Sequence, residues 1–101
     1  MKIAIDFDGV VCKREGIPTL ANWTKTKPVE GALNSIILLQ ELGHEVWILT
    51  SNPDLDAVNK WLSVNNFPRL EVTNIRRPAN VYIDDRAIRF TNWQDIRKYF
   101  S

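Results

Sequence analysis

Three short apolar stretches of this chain each run into oxygen-bearing side chains: "KIAIDFDG" at residues 2–9, "HEVWILTS" at 44–51 and "NVYIDD" at 80–85. The first reads as a short buried strand, with Ile3, Ala4 and Ile5 nearly continuous, and the other two as further strands. The residues between them read largely as helices, and strands that alternate with helices imply a parallel sheet. In an open parallel sheet the strands all leave by one edge, and ligands bind there, outside the carboxyl ends. That topology brings Asp6, Asp8, Thr50, Ser51, Asp84 and Asp85 to one edge. The fold class implied is α/β.

Residues 2–7 read as the first strand. Residues 10–27, with Gly16 and Pro18, follow no period and read as a flap or small hairpin inserted after it. Residues 28–42 read as a helix. Pro28 suits its first turn, Ala32, Leu33, Ile36, Ile37 and Leu39 give it an apolar stripe, and Gly43 stops it. Residues 44–49 form the second strand. Asn52 as cap and Pro53 at the first helical position open the next helix, in which Leu55, Val58 and Leu62 recur at helical spacing beside Trp61. Residues 70–73 and 80–83 read as the third and fourth strands, and 93–100 as a terminal helix. A chain of 101 residues is enough for one domain, here 1–101, with a core that needs no covalent staple. Trp23, Trp47, Trp61 and Trp93 are dispersed, and most are expected in that core.

The net charge of +1 gives no field that would draw the chain onto nucleic acid or a membrane. No apolar run approaches the ~20 residues of a membrane span. Met1 and Lys2 lead straight into strand, so no secretory leader is expected. The single cysteine, Cys12, allows no internal disulfide, and the expected setting is cytoplasmic. Cys12 itself reads as a bystander in the flap.

Residues two apart on an extended chain point the same way, so Asp6 and Asp8 face one pocket. Without compensation two such carboxylates raise each other's pKa or take up a cation. Four acids with no histidine or cysteine among them suit a hard cation, and Mg²⁺ fits best because it keeps waters and substrate oxygens in its shell. Gly9 lets the backbone turn sharply and leaves room beside an anion.

"DFDGV", "VWILTS" and "VYIDDR" resemble, in order, three of the four motifs of the haloacid dehalogenase-like (HAD) phosphohydrolases. Nearly the whole chain is covered, because strand order and spacing also fit a minimal Rossmann-like core, a three-layer sandwich without a substantial cap domain. The resemblance implies that Asp6 is the nucleophile, forming an aspartyl-phosphate, and that Asp8 is general acid and then general base. It implies Mg²⁺ held by Asp6, the backbone carbonyl of Asp8 and Asp84, with Asp85 standing behind these ligands or engaged through water. It further implies that Thr50 hydrogen-bonds the phosphoryl oxygens, helped by the amides of Ser51 and Asn52. The chain departs from the family at its third motif, usually a lysine shortly before the paired acids: no lysine lies between Lys60 and Lys98. Arg76 or Arg77 occupies that region, and Arg76 is the expected substitute.

Asp8 argues for a phosphomonoester rather than a halide substrate, since an alcohol leaving group needs a proton and a halide does not. The alternative is a phosphate- or metal-binding regulatory module with little turnover, which the absent lysine favours. A phospho-accepting receiver domain also combines aspartates, a threonine and a parallel sheet, but its paired acids would follow the first strand. The expected partner is a phosphorylated substrate, either a small molecule or a phosphate exposed on a macromolecule. A second copy of the chain is one way of closing so open a site. The basic residues Lys13, Arg14, Lys25 and Lys27 form a solvated face that could touch an anion.

Overall fold

The computed structural model describes residues 1–14 and 26–101. Most of the expected flap, with Gly16, Pro18, Trp23 and Lys25, lies outside the described residues. The elements are β1 (Lys2–Asp6), α1 (Ala32–Glu41), β2 (Glu45–Leu49), α2 (Leu55–Val64), β3 (Glu71–Thr73), β4 (Val81–Ile83) and α3 (Trp93–Lys98). The strands form one sheet in the order β3-β2-β1-β4, and every pairing is parallel. The α/β class and the parallel sheet are as the sequence implies. No helix among the described residues is long and apolar enough to cross a membrane.

Strand order decides where the helices go. The chain steps from β1 to β2 to β3 in one direction, and right-handed crossovers then put both connecting helices on one face. The core agrees. Ile3, Ile5 and Phe7 from the β1 side, and Val46 and Ile48 from β2, pack with Ile36 of α1 and with Val58, Trp61 and Leu62 of α2. Between β3 and β4 the chain returns past two strands, so this link crosses the opposite face. Residues 74–80 make that crossing without a helix. Their arginines cover the aromatic residues there: the Arg77 guanidinium lies 4.1 Å over the Trp47 ring and that of Arg76 3.9 Å over Tyr82.

Two helix starts differ from the sequence expectation. Pro28 is not helical. It forms an antiparallel bridge with Cys12, and Lys13 N donates to Lys27 O at 2.9 Å and Val29 N to Val11 O at 2.8 Å. The backbone groups flanking Pro28 are thus satisfied across a ladder, which holds the chain extended. Gly31, with φ +85°, then turns it into α1. The second helix starts two residues later than expected. Asn52 Oδ1 accepts from Asp54 N in a local turn, and Asp54 is the cap, accepting from Ala57 N at 3.1 Å. Trp47 and Trp61 are core residues as expected, but Trp93 is 70% exposed and α3 buries none of its residues.

Trp61 ties the core to the segment ahead of α1. Its ring meets Phe7 edge-on at 5.1 Å and Phe67 at 5.5 Å, and its Nε1 donates to Thr26 O at 3.0 Å. Trp61→Ala should cost about 3–5 kcal/mol in urea unfolding. Trp61→Phe keeps ring packing but orphans the Thr26 carbonyl and should cost about 1–3 kcal/mol. Equal losses in the two variants would mean that the hydrogen bond, not the packing, dominates.

Candidate active site

The edge at which β1, β2 and β4 leave the sheet encloses a cavity of about 360 Å³. Alternation along β1 places Ile3, Ile5 and Phe7 in the core, and Ala4, Asp6 and Asp8 on the other face, where all three line the cavity. Asp8 sits at the mouth of a tight turn. The Phe7 carbonyl accepts from the amides of Val10, Val11 and Cys12, and Gly9 N donates to Cys12 O at 2.7 Å. Val11 and Cys12 are fully buried, so the turn is anchored from below. Cys12 is thus a structural member of the turn, not a surface residue.

From β2, Thr50 and Ser51 line the cavity. Thr50 is buried, and its N donates to Thr73 O. Its Oγ1 accepts from Asn52 N at 3.1 Å, which leaves the hydroxyl proton available as a donor. Asn52 is buried and does not line the cavity. From β4, Asp84 lines the cavity, and its Oδ1 accepts from Arg86 N at 2.7 Å. One carboxylate oxygen from each of Asp6, Asp84 and Asp85 lies within 4.8 Å of the others. Asp8 Oδ1 is buried with no hydrogen-bond partner among the described residues.

Three arginines share the wall: Arg14, Arg76 and Arg86. Arg14 grips Asp85 with its planar fork, Nε to Oδ2 at 2.9 Å and Nη2 to Oδ1 at 2.8 Å. The room that Gly9 leaves is filled by this pair, since a Cβ at Gly9 would lie 2.2 Å from Asp85 Oδ2 and 2.7 Å from Arg14 Nε. Of the two candidates for the third-motif cation, Arg76 lines the cavity. Arg77 is turned away, with its Nη2 2.9 Å from Glu71 Oε1. Sequence reasoning left Arg86 and Tyr82 out of the site. Both carried a signal: Tyr82 is two residues before Asp84 on the same strand face, and Arg86 follows the paired acids.

The environment acts on these acids in different directions. Burial pushes the Asp6 carboxyl up, the Phe7 amide that donates to it partly offsets this, and the charges of Asp84, Asp85 and Asp8 push it further up. Burial raises Asp8 as well, opposed by Arg14 and reinforced by Asp85. Arg14 pulls Asp85 down through its hydrogen bonds.

A curated protein of Oceanobacillus iheyensis, "Putative nucleotidase OB0422", is 42% identical to this chain over 43 residues. The match covers 41% of this chain and 23% of that protein, so it spans about a quarter of the relative's length. No family model matches the chain, and no solved structure matches it significantly.

Because the folded state raises Asp6 and Asp8, it holds their protons more tightly than the unfolded chain does. Stability from these groups is full below the unfolded carboxylate range near pH ~4 and is lost as pH rises through the raised values. In metal-free protein, Asp6→Asn should therefore raise the thermal midpoint at pH 8, with the gain vanishing near pH ~3.5. Calorimetry at the two pH values checks this, and a variant less stable than wild type at pH 8 would contradict it. Gly9→Ala should lose at least about 1 kcal/mol in urea titration, since its φ is +85° and its Cβ would split the Arg14–Asp85 pair.

Proposed function

We propose that the chain is a Mg²⁺-dependent phosphomonoester hydrolase of the HAD type, working through an aspartyl-phosphate on Asp6. The observation that carries this reading is the convergence of Asp6, Asp84 and Asp85 within 4.8 Å beside Asp8, with Thr50 and Arg76 on the same cavity wall. The likeness to the Oceanobacillus protein, whose name describes a nucleotidase, supports ester hydrolysis and makes nucleoside monophosphates the first substrates to test.

The residues fit the metal. The donors are all hard oxygens, and like charges gathered this closely need a counter-ion. Asp6, Asp84 and the Asp8 carbonyl would hold it, with Asp85 adjoining. When bound, Mg²⁺ neutralises charge on the nucleophile and the phosphoryl group.

Asp6 attacks phosphorus, and the bond to the leaving oxygen breaks. Asp8, which burial biases towards its protonated form, gives its proton to that oxygen. The same carboxylate then takes a proton from water as the water displaces Asp6 from phosphorus, so the two acids divide one difficult step into two. Thr50 donates its hydroxyl proton to a phosphoryl oxygen, and Arg76 supplies the positive charge usually given by lysine.

Phosphate release should be measured from p-nitrophenyl phosphate and a panel of nucleoside monophosphates, with Mg²⁺ and with chelator. Turnover should require the metal and fall at least about 1,000-fold in Asp6→Asn. A folded, Mg²⁺-binding protein that turns over none of these esters would instead favour the binding-module reading.

A further inference from the structure

The Arg14–Asp85 pair engages one of the three carboxylates that cluster where the proposed function seats a cation. Both Asp85 oxygens accept from one guanidinium, at 2.8 and 2.9 Å. A carboxylate oxygen of the same residue lies within 4.8 Å of oxygens from Asp6 and Asp84. A divalent cation seated among these acids would draw on the same carboxylate and would repel the guanidinium at close range. Arg14 and the cation are therefore competitors.

Arg14 is also free to yield. Its side chain is 36% exposed and lines the same cavity as Asp6, Asp8 and Thr50. Beneath it lies Gly9, whose missing side chain makes room for the pair. A planar fork that matches a carboxylate also matches two oxygens of a phosphate.

We propose that Arg14 is an internal counter-ion that a divalent cation displaces from Asp85, and that the released guanidinium then binds the substrate's phosphoryl group. This inference rests on the hydrolase reading of the site. It makes Arg14 a substrate-binding residue that the family motifs do not include. It also orders the binding events: cation entry frees the arginine, and the anion follows.

The test is calorimetric titration of wild type, Arg14→Ala and Arg86→Ala with Mg²⁺, then with inorganic phosphate at saturating Mg²⁺. Arg14→Ala should bind Mg²⁺ about 3–10-fold more tightly, because its competitor is gone. Arg86→Ala removes equal charge from the same cavity without breaking a hydrogen bond to the Asp85 carboxylate, and should tighten Mg²⁺ binding less than Arg14→Ala does. At saturating Mg²⁺, Arg14→Ala should weaken phosphate binding about 10-fold or more. Unchanged or weaker Mg²⁺ binding in Arg14→Ala would overturn the proposal, as would equal tightening in Arg86→Ala. If Mg²⁺-dependent turnover persists alongside such a result, the displacement fails and the hydrolase reading stands. If none of the three proteins binds Mg²⁺, both fall together.

Discussion

The burial of Phe7 sets the site. Its side chain has no exposure and meets Trp61 edge-on in the core, and its carbonyl gathers the three amides of the following turn. Burying such a side chain is worth about 1.5–3 kcal/mol. Side chains alternate along an extended chain, so anchoring position 7 in the core forces positions 6 and 8 to the other face. A register slip of one residue would bury two carboxylates and expose an aromatic ring, at a cost the fold could not carry. The geometry of the acids therefore follows from an apolar contact that neither acid makes.

That geometry works against stability. Asp6 is raised by burial and by the three acids around it, so the ionised site favours unfolding. The fold answers with arginines at the same edge: Arg14 holds Asp85 bidentately, and the charges of Arg14 and Arg86 oppose the rise at Asp8. Like charges gathered at a sheet edge and offset by neighbouring arginines are what make this edge the candidate site.

The strands were legible as short apolar runs, and the edge because each run ends in oxygen-bearing side chains. Along "IDFD" the core residues Ile5 and Phe7 alternate with Asp6 and Asp8, which line the cavity, so these two acids stand where the alternation puts them. Helix starts were less legible, because capping is decided by which backbone groups already have partners. Pro28 looks like a first-turn residue until the Cys12 ladder takes the amides on either side of it. Asn52 looks like a cap, but its side chain closes a turn onto Asp54, which caps instead. Arg14 was visible only as one member of a basic cluster, since its partner Asp85 lies 71 residues away. Local spacing carries no information about a pair of that separation.

The crossover at residues 74–80 bears on the arginine at position 76. It must both return the chain past two strands and cover the sheet face opposite α1 and α2. It does the second with side chains: flat guanidiniums lie on Trp47 and Tyr82. Arginine stacks on aromatic faces and is more weakly hydrated than an ammonium, so it can serve as both cover and charge. A lysine at position 76 would keep the charge and lose the flat cover over Tyr82. With no helix in this crossover, the cation at the cavity is held from below by an aromatic ring. The arginine thus follows from how this chain closes its second face, and the residue that covers Tyr82 also lines the cavity with Asp6, Asp8 and Asp84.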